Sequence, residues 1–181
     1  MNPQWNEFTL VPSEILPEVK EYQPSVYREY RGEIWTTFHN REHPCSSIID
    51  ENTNIHGRFS RSYKNVLRGL HWDDKTWKLV QSVVGDIYLV VLDMRINSDS
   101  FGKWRSIILT GNQRNQVLIP PGFANGHLAL TDCIFHYNLF YKGQYVDTQD
   151  QNTVKWNNPQ FNIHWPITNP ILSKRDGHET V

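Results

Sequence analysis

The sequence predicts a single all-β domain, an antiparallel sandwich or barrel of which the jelly roll is the common form. Three observations carry that expectation. Short segments rich in β-branched and aromatic residues recur from residue 59 onward, with turn signals between them. Aromatic residues make up 13% of the 181-residue chain, with seven Trp and eight Tyr against two Met. So many rings either fill a wide β core or line a pocket where sugars and bases stack. No internal repeat, low-complexity stretch or linker breaks the pattern, so residues 1–181 read as one domain large enough to bury a real core.

Each element follows from local chemistry. The stretch to about Pro24 is polar and proline-punctuated, with short apolar pieces such as Phe8-Thr9-Leu10-Val11, and reads as an N-terminal arm or edge strand and a candidate dimer element. Arg31 to Phe38 has strand composition. Further strands are expected at Asn65–Leu70, Trp77–Val84, Asp86–Asp93, Trp104–Thr110, Gln116–Ile119, His127–Leu130 and Ile134–Tyr141. Turn residues separate them at Val84-Gly85-Asp86, Asn97-Ser98-Asp99-Ser100, Thr110-Gly111-Asn112 and Pro120-Pro121-Gly122. From Thr148 the chain is rich in Asn, Asp and Pro, and is expected to wrap the barrel as loops and short helices.

Composition narrows the function. A formal net charge of −1 and a pI near 6.7 give no electrostatic reason to bind nucleic acid or a membrane surface. No apolar run approaches the roughly 18 residues of a membrane span, and no signal peptide opens the chain, so a cytoplasmic protein is expected. Cys45 and Cys133 lie far apart in sequence and read as two reduced thiols rather than a disulfide, metal pair or redox motif.

The segment Leu67 to Gln81 concentrates the chemistry. His71 ends one strand, just before the loop Trp72-Asp73-Asp74-Lys75-Thr76, and is either a general base or a histidine hydrogen-bonded at a barrel rim. Lys78 opens the next strand, as a solvated surface residue or as a buried ammonium facing an oxyanion. Arg68 interrupts an apolar run and requires an anionic partner, either a protein carboxylate or a ligand phosphate. Farther along, Phe135, Tyr137, Leu139 and Tyr141 share one strand face by alternation, with that face inward. Tyr137 is then a proton donor in a pocket or a core tyrosine with a satisfied hydroxyl.

A metal site is not expected. His71 is followed by Trp72 and Asp73, so no His-x-His pair forms, and Asn125 stands where a third histidine ligand belongs. His127, two residues on, shares a strand face with Asn125, but three good ligands do not converge.

In order and in kind, these residues resemble the nucleotide-sugar 3,5-epimerases, a family typified by dTDP-4-keto-6-deoxyglucose (dTDP-4-dehydrorhamnose) 3,5-epimerase. The resemblance runs from Arg31-Gly32 to Asp176. It rests on Asn65 to His71, Lys78-Leu79-Val80, Val84-Gly85-Asp86, Phe101 to Trp104, Ile119 to Ala124, Trp165-Pro166 and Pro170 to Asp176. It implies a cupin-type double-stranded β-helix (jelly roll) with an N-terminal arm and a C-terminal extension of loops and short helices. By the same resemblance His71 is the base, Asp176 its orienting carboxylate, Lys78 the cation at the C4 oxygen and Tyr137 the opposite-face proton donor. Arg31 and Arg68 contact the nucleotide diphosphate. No cofactor is implied, and a homodimer with exchanged N-terminal strands is.

Departures from the family pattern sharpen the expectation. The Gly-Phe-Ala-His-Gly histidine is Asn125, so a second pocket imidazole is expected to be lost. His56-Gly57-Arg58-Phe59-Ser60 replaces a Gln-Asp-Asn segment, which makes His56 a substrate-binding candidate beside Asn125. Thr36 replaces a glutamate, and the loop after His71 is shortened. The altered set is similar to the branch acting on GDP-linked 4-keto-heptoses in bacterial capsule or lipopolysaccharide synthesis. The expected activity is cofactor-independent epimerisation at carbon 3, carbon 5 or both of a nucleotide-linked 4-keto sugar, a GDP-4-keto-heptose ahead of a dTDP-4-keto-6-deoxyhexose. The rivals are a 4-keto to 3-keto sugar isomerase on the same fold and a non-catalytic nucleotide-sugar binding module.

Overall fold

The computed structural model describes residues 7–177, so the first residues of the arm fall outside it. In chain order the strands are β1 (Phe8–Val11), β2 (Lys20–Pro24), β3 (Val26–Glu29), β4 (Gly32–Trp35), β5 (Thr53–Ser62), β6 (Leu67–Trp72) and β7 (Trp77–Val84). They continue with β8 (Asp86–Asp93), β9 (Trp104–Thr110), β10 (Gln116–Ile119), β11 (Phe123–Ala129), β12 (Cys133–Lys142) and β13 (Asn152–Thr153). A single helical turn, α1 (Lys174–Gly177), follows.

Two sheets face each other. One has the order β1-β2-β10-β7-β12-β5, the other β13-β6-β11-β8-β9, and β3 and β4 form a separate hairpin. Alternation sends Val80, Ile87, Leu89, Val91, Val117, Ile119 and Phe135 into the space between the sheets. The outer faces are covered as well. Val154, Phe161 and Ile163 of the C-terminal segment pack on Leu70, Val90 and Leu92, while Phe38, Cys45 and Ile48 pack on Leu79, Leu118 and Phe140. Double coverage turns β7 and β8 into nearly continuous buried runs. Both cysteines are buried free thiols.

The strands expected at 77–84, 86–93, 104–110 and 116–119 form with those bounds. Others shift. The strand expected over 31–38 is confined to Gly32–Trp35 and pairs with β3, and β11 starts at Phe123 rather than His127. The ten-residue β5 begins at Thr53, well before the expected onset at 59, and runs along one sheet edge against β12. The C-terminal extension makes loops, a 3-10 turn at Thr148–Asp150 and α1, and it also adds β13 to the edge of β6. Among the described residues no helix is long and apolar enough to cross a membrane.

Candidate active site

A cavity of about 330 Å³ opens between the two sheets. Its lining draws His71, Asn125 and His127 from the five-stranded sheet, and Arg58, Lys78 and Tyr137 from the six-stranded one. The apolar core lies alongside, with Tyr137 packed against its edge.

His71 is placed from three sides. β6 pairs with β11 (Asn125↔His71) and with β13 (Thr153↔His71). At Gly69, where φ is +114°, a Cβ would stand 2.6 Å from Gly126 Cα, so glycine permits the close approach of β6 and β11 just before the histidine. The third constraint comes from α1. Asp176, 4% exposed, brings Oδ1 to 2.6 Å from His71 Nε2. Its other oxygen accepts a hydrogen bond from Gly69 N–H at 3.3 Å, and its own N–H donates to Ser173 Oγ. Burial opposes ionisation of Asp176, but the His71 hydrogen bond and charge, Gly69 N–H and Ser173 together hold its carboxyl below the usual range. An ionised carboxylate only accepts, so Nε2 carries the imidazole hydrogen and Nδ1 keeps the basic lone pair.

Lys78 crosses the cavity from the opposite sheet. Its Nζ donates to Asn125 Oδ1 at 2.8 Å and to the His71 carbonyl at 3.3 Å. An ammonium has three donors, so one is left for a ligand. Burial pushes the Lys78 pKa down to about 8, against the raising influence of the Asp73 carboxylate. Asp73 itself is fixed in the short loop after His71. One oxygen caps the N–H groups of Lys75 and Thr76, and the other accepts from Gln151. Tyr137, on β12, lines the cavity from the sheet opposite His71.

The remaining sequence candidates divide. Arg68 lines the cavity, its Nε donating to Ser62 Oγ at 2.9 Å. Arg31 does not reach it: the side chain is 69% exposed at the tip of the β3–β4 hairpin, pairs with Glu29, and lies outside the cavity of its own chain. His56 is not among the lining residues either, because its Nε2 accepts from Arg58 Nε at 3.0 Å. Arg58 therefore faces the cavity and His56 supports it.

Several polar lining residues are not site candidates in the sequence, Arg58, Ser60 and His127 among them. The signal for the first two was the replaced segment before β6, whose alternation puts residues 58 and 60 on one face. His127 is legible in the sequence as the residue that shares a strand face with Asn125. It corrects the expectation that Asn125 costs the pocket its second imidazole. The imidazole stands two residues on, 5% exposed and stacked on Phe135 at 4.3 Å. Burial, with the Arg68 and His71 charges, pushes its pKa down to about 3, so it is neutral. Asn125 in turn anchors Lys78. Among the described residues no three His, Cys, Asp or Glu side chains form a metal-binding group.

The arrangement provides a basic nitrogen on one wall, a phenol on the other and a buried ammonium between them. Such a set suits removal of a proton next to a carbonyl and its return from the other side. Opposed sheets around this polar cavity define a cupin-type jelly roll, and solved structures agree. The dTDP-6-deoxy-D-glucose-3,5-epimerase from Legionella pneumophila Philadelphia 1, in complex with dTDP-4-keto-L-rhamnose, superposes with a TM-score of 0.84 at 29% identity, covering 95% of this chain and 91% of that one. The family profile described as dTDP-4-dehydrorhamnose 3,5-epimerase matches residues 13–181, and the chain belongs to that family of isomerases. A curated dTDP-4-dehydrorhamnose 3,5-epimerase from Shigella flexneri is 32% identical over 169 residues, 89% of each chain. One from Neisseria gonorrhoeae is 38% identical over 165 residues; the match takes in 89% of this chain but only 49% of that relative, so the chain spans about half of its length.

Proposed function

We propose that this protein epimerises a nucleotide-linked 4-keto sugar at carbon 3, carbon 5 or both. The observation that carries the reading is the division of the machinery between two walls. The His71–Asp176 pair stands on one sheet and Tyr137 on the other, with Lys78 reaching between them. His71 Nδ1 takes the proton alpha to the C4 ketone; the C–H electron pair becomes a double bond to carbon 4, and the carbonyl π pair moves onto the ketone oxygen. The resulting enolate oxygen is held by the free N–H of Lys78. Tyr137 or a water returns a proton to the opposite face of the same carbon, and the inverted ketone is restored. No oxidation state changes, so base, oxyanion cation and acid suffice.

The names of the relatives support a dTDP-linked 4-keto-6-deoxyhexose as substrate. A GDP-linked 4-keto-heptose of capsule or lipopolysaccharide synthesis is the second reading. It is favoured by the departures at Thr36, at residues 56–60, at Asn125 and in the loop after His71. The homodimer belongs to the same proposal: Arg31 does not line this cavity in its own chain, so a contact with the diphosphate would come from the cavity of a second copy.

The test is product NMR in deuterated water with dTDP- and GDP-linked 4-keto sugars. Deuterium with inversion at carbon 3 or 5 is expected, and a product carbonyl moved to carbon 3 would contradict the reading. Tyr137→Phe is expected to impair inversion at one centre while exchange persists; equal inversion at both carbons would remove Tyr137 from the mechanism.

A further inference from the structure

The turn that presents Asp176 to His71 is not held by apolar packing. Ser173-Lys174-Arg175-Asp176-Gly177 contains no hydrophobic side chain, and the buried residue of α1 is Asp176 itself. A single helical turn is unstable alone, because nucleation fixes several backbone dihedrals for one hydrogen bond. This one also takes a carboxylate out of water, at a cost that only good partners offset. Upstream the chain is tied at Ile171, whose N–H donates to the Asn65 carbonyl and whose carbonyl accepts from Leu67. That tie leaves Leu172 to Asp176 to be placed by side chains.

Arg175 supplies the placement. It lines the cavity, but its donors turn to residues 148–153, which contribute Thr148 and Gln151 to the same lining. Nε and Nη2 donate to Thr153 Oγ1 at 3.1 and 2.9 Å, Nη2 also to the Gln151 carbonyl at 2.7 Å, and Nη1 to the Thr148 carbonyl. No carboxylate among the described residues pairs with the guanidinium, so its role is to grip this segment. The segment is fixed in turn to the strand that carries the base. Thr153 pairs with His71 and Asn152 with Trp72, and Val154 exchanges hydrogen bonds with Leu70 at 3.0 and 3.3 Å. Gln151 Nε2 donates to Asp73 Oδ2 at 3.1 Å, in the loop that follows His71. The base and its carboxylate are therefore both referred to one segment, His71 through the β13 pairing and Asp176 through its neighbour Arg175.

We propose that Arg175 is a positioning residue for the proton transfer: by gripping residues 148–153 it fixes Asp176 against His71. The reaction that reads this role rests on the proposed function, whereas the positioning itself belongs to the His71–Asp176 pair. A planar fork suits the task, because it meets three acceptors of fixed direction at once; an ammonium is a point charge on a flexible stem. With the carboxylate displaced, the imidazole loses the partner that fixes its tautomer and orientation, and Nδ1 is no longer aimed at the substrate. A misplacement of about 1 Å in such a pair is enough to cost roughly 10²-fold in rate.

The test joins the proton NMR spectrum of the full chain to kinetics with dTDP- and GDP-linked 4-keto sugars. The His71 Nε2–H, donated to a carboxylate, is expected to give a downfield resonance that Asp176→Asn removes. Arg175→Ala should remove it too, and Arg175→Lys should recover it in part. With the sugar that the unaltered protein turns over, Arg175→Ala is expected to lower kcat by roughly 10-fold to 100-fold while KM changes by less than about threefold. On an Asp176→Asn background the same substitution should cost less than about threefold more, because Arg175 acts through that carboxylate. Where melting shows that Arg175→Ala does not fold, Arg175→Lys carries the same readouts. Absence of the resonance from the unaltered protein, or its persistence in the Arg175 variant, would overturn the role. So would losses that multiply in the double variant, or a loss carried by KM, which would make Arg175 a ligand contact. Loss of the resonance in the variant, with no deuterium exchange by the unaltered protein on either sugar, would retain the positioning and remove the epimerase reading.

Discussion

Two buried charge clusters in this fold have opposite characters. At the end of β8, Asp93 is fully buried, and every valence of its carboxylate is used. It accepts from the N–H and guanidinium of Arg95 and from the hydroxyls of Ser98 and Ser100. Arg95 also pairs with Glu18 and lies 4.2 Å from the Phe123 ring centroid. Burial opposes this charge, yet the hydrogen bonds hold its pKa at about 2. The cavity is the reverse. Lys78 is pushed down to about 8, and the hydroxyl of Ser60 and Nε2 of His127 have no partner among the described residues. Completed valences fix the loop after β8; unfinished ones await a ligand. Buried charge is thus structural in one place and functional in the other, and the number of donors left over tells them apart.

That contrast can be broken by substitution. Asp93→Ala leaves Arg95 with the more exposed Glu18 for a counter-charge and deprives the hydroxyls of Ser98 and Ser100 of their acceptor, and is expected to destabilise the fold by about 3–5 kcal/mol in chemical denaturation. A loss below about 1 kcal/mol would show that the cluster is not the staple described. Lys78→Met should do the opposite. At 1.36 kcal/mol per pKa unit, a shift from 10.5 to about 8 means that keeping the ammonium charged costs roughly 3 kcal/mol at neutral pH. Removal of that charge is expected to raise the melting temperature while activity falls by roughly 10²-fold to 10³-fold. Ser98→Ala, which removes one donor of several to Asp93, is expected to cost only about 1 kcal/mol.

The pH dependence separates the same two effects. Between about 8 and the ordinary lysine range the unfolded chain binds more protons at Lys78 than the folded one, so this residue makes stability rise with pH across that window. Catalysis needs the charged form, so kcat/KM is expected to fall as pH climbs through about 8. In Lys78→Met the rise in stability should vanish. Asp176 gives a slope of the same sign in the acid range: its lowered carboxyl contributes stability above the ordinary carboxylate range that is lost as pH falls through its folded value.

What the sequence made legible follows the same division. β7, β8 and β10 are readable to the residue because both faces are covered, which leaves apolar runs cut cleanly by Gly85 and Gly122, and β9 is readable by the alternation that buries Ile107 and Leu109. β5 escaped because its inward positions face the cavity instead of the core. Arg58 and Ser60 stand where a hydrophobic alternation would have announced a strand. The His71–Asp176 pair joins residues 105 apart, which no local pattern reveals; only the resemblance brought them together. The same resemblance placed attention on His56 rather than Arg58, because the replaced segment was legible as a change but not as a direction of side chains.

The reading of the cavity as a proton-transfer site stands on His71. With the nucleotide-linked 4-keto sugar that the unaltered protein turns over, proton NMR in deuterated water is expected to show exchange at carbon 3 or carbon 5. In His71→Asn exchange should fall by roughly 10²-fold to 10⁴-fold, the contribution of a positioned base. Undiminished exchange in His71→Asn would contradict the assignment.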